Sequence, residues 1–194
     1  MKYALFVLSL LFPSLNFSQV TDTTGLNETI IKIIQLFAKK DAKGLNAYVH
    51  PEYGAYVIYQ PGVMHYYKHI VKIDPDQKFN GLNNIFEFGT GKISAVKIKY
   101  ASVPEFSCET MAWSKQGCFA DFKTQPSDLS KLVKFFKETE NIKVSDKELS
   151  VIRAIEKTGV KICDTARGLI FFLTQDKSGK WFFTGIDVTT PCDA

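Results

Sequence analysis

Apolar residues recur at helical spacing in LNETIIKIIQLFAKK, residues 26–40, where Ile30, Ile33, Ile34 and Phe37 share one stripe and the lysines take other faces. This predicts a helix. A shorter helical stretch over 42–49 follows, and Pro51 forces His50 out of the helical region and ends it. From Gly54 the period becomes two, with Tyr56 and Ile58 alternating against Val57 and Tyr59 up to Pro61-Gly62, where glycine supplies the positive φ of a type II turn. Residues 63–73 read as the next strand. The asparagines and glycines of 74–92 read as a loop. ISAVKIKYASV, residues 93–103, then sets Val96, Ile98 and Tyr100 against Lys97 and Lys99, a strand with one wet side. Another strand is expected over 118–122.

Two amphipathic helices come next. Residues 128–137 carry Leu129, Leu132, Val133 and Phe136 on one stripe, and 146–157 are bounded by a capping box from Ser145 to Glu148 and a stop at Gly159. Near the C-terminus the apolar runs 169–173 and 181–183 flank Asp176-Lys177-Ser178-Gly179, which has the Asp-first, Gly-last pattern of a type I turn. A hairpin centred there pairs residues whose numbers sum to about 355 or 356. In that register one face carries Leu169, Phe171, Leu173, Phe182, Ile186 and Val188, and the other Ile170, Phe172, Trp181 and Phe183. Both faces are apolar. Helices cover one; the other is left to bury itself under long loops, line a cavity or meet another protein surface. Strands without regular intervening helices indicate an antiparallel sheet with helices on one side, an α+β arrangement.

Composition adds compartment and excludes some partners. Lys2, the apolar run 4–12 and the polar segment 13–18 form the three parts of a secretory signal peptide, with cleavage expected after Ser18 and one domain over 19–194. The apolar run is too short to span a bilayer, and no later segment is long enough, so no transmembrane segment is expected. Secretion or a periplasmic location follows. The chain of 194 residues has 24 Lys and Arg against 20 Asp and Glu, spread without a block of like charge. That distribution does not suit nucleic acid, which calls for a basic stripe. Four cysteines in an oxidising compartment predict two disulfides. Cys163 and Cys192 sum to 355, so the hairpin register pairs them and leaves Cys108 with Cys118.

The N-terminal amphipathic helix, the short second helix ending in AYVHPEYGAYV and the closing pair of long apolar strands together resemble the NTF2-like proteins of the cystatin-like fold. The likeness is greatest to uncharacterised secreted bacterial members, and it lies in the first 60 residues and the last 30. It implies a strongly bent antiparallel sheet wrapped on helices, a cone with a pocket at its wide end. Some members of that superfamily are enzymes with acid and base side chains in the pocket, and many others only bind ligands or partners. The helix pair over 128–157 departs from the usual order.

The stretch from Tyr48 to His69 holds all three histidines and six of the eight tyrosines. His65 and His69 lie four apart and with His50 make three nitrogen donors, but no His-Glu-x-x-His pattern is present and no metal or other cofactor is expected. His50, set by Pro51 and Gly54, is the candidate base of an acid/base lyase or isomerase, with Glu52, Asp121 or Asp187 as its carboxylate partner. GTGK at 89–92 lacks the first glycine and the Ser or Thr of a phosphate-binding loop. The leading expectation is a non-catalytic binding domain for a small apolar or aromatic ligand or a protein partner, with Tyr56, Tyr59, His65, Phe172 and Trp181 among the contacts. The alternatives are the His50 enzyme and a structural homodimer joined through the hairpin's second face.

Overall fold

The computed structural model describes residues 23–79, 84–91, 95–140, 143–189 and 192, so the expected signal segment over 1–18 lies outside the described residues. Helices α1 (Thr23–Ala38) and α2 (Ala42–Asn46) lead into β1 (Ala55–Tyr59) and β2 (Tyr66–Ile70). Then come β3 (Ile98–Tyr100), a small hairpin of β4 (Phe106–Ser107) and β5 (Ala112–Trp113), and β6 (Cys118–Asp121). Helices α3 (Leu129–Thr139) and α4 (Asp146–Thr158) follow, and the chain closes with β7 (Gly159–Asp164), β8 (Leu169–Gln175) and β9 (Trp181–Asp187). The helices fall where periodicity and capping put them, except that α2 ends at Asn46, short of the expected residue 49, and Val49 instead bridges to Phe183. The Ser145 hydroxyl accepts the Glu148 N–H at 3.1 Å, which satisfies one of the free donors of the first turn of α4. The second strand is shorter than residues 63–73, and Val63 and Val71 outside it are exposed.

Seven strands form one sheet in the order β2-β1-β9-β8-β7-β6-β3. It is mixed, not purely antiparallel: β1 runs parallel to β9, and β3 parallel to β6. The last strand is inserted between β1 and β8, so β1, fed from α2, meets it running in the same direction. A parallel bridge from Val49 to Phe183 begins that pairing ahead of β1.

Helices cover both faces of the sheet, which corrects the expectation of one helical side. Ile30, Ile33, Ile34 and Phe37 of α1 pack on Phe171, Phe183 and Ile186, with the Phe37 and Phe183 rings 6.0 Å apart. On the opposite face Leu129 and Val133 of α3 and Ile152 and Ile155 of α4 pack on Tyr56, Ile58 and Phe172. The second apolar face of the terminal ribbon is therefore covered by the mid-chain helices of the same chain.

The ribbon turns where predicted. Gly179 N–H donates to the Asp176 carbonyl at 3.1 Å, and Gly179 takes a φ of +88°. The expected face assignment is wrong on β9, because a bulge shifts the register beside Phe172 and Leu173. Trp181 and Phe183 lie on the α1 side with Phe171 and Leu173, and after the bulge Ile186 and Val188 return to that side. Gly185 sits beside Phe172 in this pairing, where a Cβ would come within 2.8 Å of the Phe172 ring and 2.9 Å of the Tyr56 carbonyl. Glycine here lets the ring lie over the strand.

The cysteine pairing is also corrected. Cys108 is bonded to Cys192, with Cα atoms 5.5 Å apart, and Cys118 and Cys163 are free and buried. The expected pairing took Cys163 as the start of the ribbon's first arm. Instead the chain reverses between β7 and β8, where Gly168 has a φ of +58° and the Arg167 guanidinium pairs with Asp164, so Cys163 faces Ile170 across the ladder. Cys118 stands opposite Asp164, and its neighbour Phe119 stands opposite Cys163. The two free thiols therefore point to opposite faces of the sheet and cannot join.

Among the described residues no helix is long and apolar enough to cross a membrane. The Cys108–Cys192 disulfide is compatible with an exported protein.

Candidate functional site

A groove of about 660 Å³ opens where α3 leaves the sheet. Its apolar part comes from Ile58 of β1 and from Leu132 and Phe135 of α3. The stripe of α3 formed by Leu129, Val133 and Phe136 is buried, so the flanking positions 132 and 135 are carried to the groove's edge, and Phe135 is 40% exposed. Glu156 of α4 fixes the start of α3 by accepting the Ser130 N–H at 2.9 Å.

The polar part comes from four places: His65 before β2, Gln125 before α3, Lys161 on β7 and Asp187 at the end of β9, with Asp128 and Lys131 at the first turn of α3. The carboxylates are engaged. Asp128 pairs with Lys131 at 2.8 Å, and Asp187 Oδ1 accepts the Thr189 N–H at 3.0 Å and its hydroxyl at 2.7 Å. Asp121, beside Lys161 in the ladder, accepts backbone N–H groups from Lys123, Thr124 and Val103 at 2.8, 3.1 and 3.4 Å. Burial alone would raise its pKa, but those hydrogen bonds outweigh burial and hold the carboxyl below its usual range.

A smaller hollow of about 280 Å³ lies against the first turn of α4, lined by Tyr53, Tyr56, His69 and Glu148. The Tyr56 ring is 4.8 Å from that of His69, and its hydroxyl makes no hydrogen bond to a described residue. Burial, then the charge of Glu148 and the nearby Tyr67, push that phenol well above its ordinary pKa.

The five expected ligand contacts are not brought together. Tyr56 and Phe172 are buried on the α3 and α4 side. Trp181 is buried on the α1 side, and Tyr59 packs there too, 5.5 Å from Phe79 and 6.0 Å from Tyr66. Only His65 reaches the groove.

The three histidines also separate. His50 is 4% exposed, stacked on Tyr53 at 4.0 Å, and its Nδ1 accepts the N–H groups of Glu52 at 3.2 Å and Tyr53 at 3.1 Å. Its free proton is therefore on Nε2. Burial lowers its pKa, against the opposing charges of Glu52 and Asp176. Neither Glu52, Asp121 nor Asp187 hydrogen-bonds the ring among the described residues, and the lone pair a general base needs is already occupied. His69 Nε2 is 2.9 Å from the Tyr53 carbonyl, to which it donates. Among the described residues no three His, Cys, Asp or Glu side chains are grouped to hold a metal ion.

Spacing does not mark Lys161 or Phe135, and it marks Leu132 only as part of the core stripe, from which the structure moves it to the groove; the sequence carries a hint of Lys161. In Val160-Lys161-Ile162-Cys163 a lysine falls on a face whose neighbours in the sheet are Phe172 and Ile170. That is an anomaly for a face packed under helices.

No known protein family matches the chain, and neither a curated protein nor a solved structure matches it.

Proposed function

We propose that this is an exported, non-catalytic binding domain whose site is the groove between α3 and the sheet, and that its ligand is a small apolar or aromatic molecule. The observation that carries this is the groove itself. Its volume of about 660 Å³ is that of a small-molecule pocket, and it sets the apolar side chains of Ile58, Leu132 and Phe135 among polar groups drawn from separate elements. The occupied lone pair of His50 weighs against the acid/base alternative. The homodimer reading loses its motive, because the ribbon face that asked for a partner lies under α3 and α4. The N-terminal helix, the seven-stranded sheet and the closing ribbon support kinship with NTF2-like domains. The helix pair on the far face is this chain's addition to that plan.

Titration with the neutral fluorescent probe N-phenyl-1-naphthylamine tests the reading. Saturable binding at one site is expected, weakened at least about tenfold in a Leu132→Asn, Phe135→Ser double variant, because about 1.4 kcal/mol of lost apolar contact is a factor of ten. Both positions are at least partly exposed, so unchanged thermal unfolding is expected and serves as the control. Absence of saturation, or equal affinity in the variant, would contradict the reading.

A further inference from the structure

We propose that Lys161 is an acid-recognising point in the groove, so that the ligand is an apolar or aromatic molecule carrying a carboxylate, sulfonate or phosphate group; this rests on the groove being the ligand site. Lys161 is half-buried, and its ammonium group makes no ion pair or hydrogen bond with a described residue. A partly buried cation is normally paired, because removing it from water costs free energy that a counter-charge offsets.

A counter-charge is close at hand and does not serve. Asp121 stands directly opposite Lys161 in the β6 and β7 pairing, where a salt bridge would form most readily. Its carboxylate is turned instead to the N–H groups of Val103, Lys123 and Thr124. The two aspartates that line the groove are equally committed, Asp128 to Lys131 and Asp187 to Thr189. Asp121, Asp128 and Asp187 thus each have partners among the described residues other than Lys161, and Lys161 lines the same groove as Leu132 and Phe135. His65, exposed at the same groove, is a second group able to donate to an anion. Phe172, beside Lys161 on β8, is fully buried and holds the strand against α3 and α4, so the lysine is presented from a rigid element.

The test compares two fluorescent probes of similar shape, the neutral N-phenyl-1-naphthylamine and the sulfonated 1-anilinonaphthalene-8-sulfonate. In the native protein the sulfonate binds at least about tenfold more tightly than the neutral probe, as a charge-assisted contact provides. In Lys161→Met that preference disappears while the neutral probe is unaffected. Lys161→Arg keeps the preference, and Lys177→Met, which removes an exposed lysine of the ribbon turn that does not line the groove, also keeps it. If the sulfonate preference is absent in the native protein, or persists in a Lys161→Met variant whose thermal unfolding is normal, the inference is overturned and the groove reading stands. If neither probe binds, the groove reading itself fails. Should Lys161→Met not fold, loss of the preference in Lys161→Gln decides in the same way.

Discussion

His50 donates its backbone N–H to the Phe183 carbonyl at 3.1 Å and receives two backbone N–H groups on Nδ1, so one residue closes the turn that leads into β1. The pH dependence follows from its burial. The folded ring has a pKa below its ordinary 6.5, so the unfolded chain takes up the proton first. This contribution to stability is fully present above about pH 6.5 and is lost as pH falls from there toward the lowered folded value. Urea midpoints measured between pH 7 and 5 are expected to fall in the native protein and to fall less steeply in His50→Gln. Parallel profiles would mean that His50 is not held neutral. Sequence alone picked out His50 as special, and it is, but through burial and two backbone donors that no local pattern displays. Lys161 is not legible in the sequence for a related reason: what distinguishes it is the prior engagement of Asp121, a residue 40 positions away in the chain.

Among the described elements, the helices were legible through a 3.6-residue stripe, a cap or a stop, although α2 ends at Asn46 and not where Pro51 would stop it. The terminal ribbon was half legible. Its turn follows from Asp176 to Gly179, but the bulge beside Phe172 depends on how that ring crosses Gly185, and the preceding reversal at Asp164 to Gly168 was absorbed into the ribbon's arm. The resulting pairing error has a direct check. Peptide mapping under non-reducing conditions is expected to join Cys108 to Cys192, a bridge spanning 84 positions. For a loop of about 85 residues the chain-entropy estimate of its worth is about 4.5 kcal/mol, to be seen as a lowered unfolding midpoint in Cys108→Ser. Cys118 and Cys163 are expected to stay unmodified by iodoacetamide at pH 8 until the chain is unfolded, because burial pushes both thiols up to about 12. Rapid native labelling of either would show that β6 and β7 are not packed as described.

Taken as a whole, the molecule places one sheet between two helical layers, and the balance of apolar surface explains why. A ribbon greasy on both faces needs two covers, and the chain supplies α1 and α2 for one and α3 and α4 for the other. The need was readable from Ile170, Phe172 and their neighbours. The supplier was not, because an amphipathic stripe such as Leu129, Val133 and Phe136 says that a helix must be buried without saying on which side of which sheet. The groove exists because α3 covers its face only in part, so that Asp187 at the end of β9 stays partly exposed, and the buried Ile58 lines the groove with Leu132 and Phe135. Its residues come from separate parts of the chain, which is why, of the histidines and tyrosines clustered from Tyr48 to His69, only His65 lines it. The most direct measurement is a map of backbone amide shift changes on titrating the native protein with 1-anilinonaphthalene-8-sulfonate. Changes concentrated at Ile58, His65, Leu132, Phe135, Lys161 and Asp187 are predicted. Changes centred instead on Tyr53, Tyr56 and His69, or spread without saturation over the surface, would contradict the assignment of the groove as the binding site.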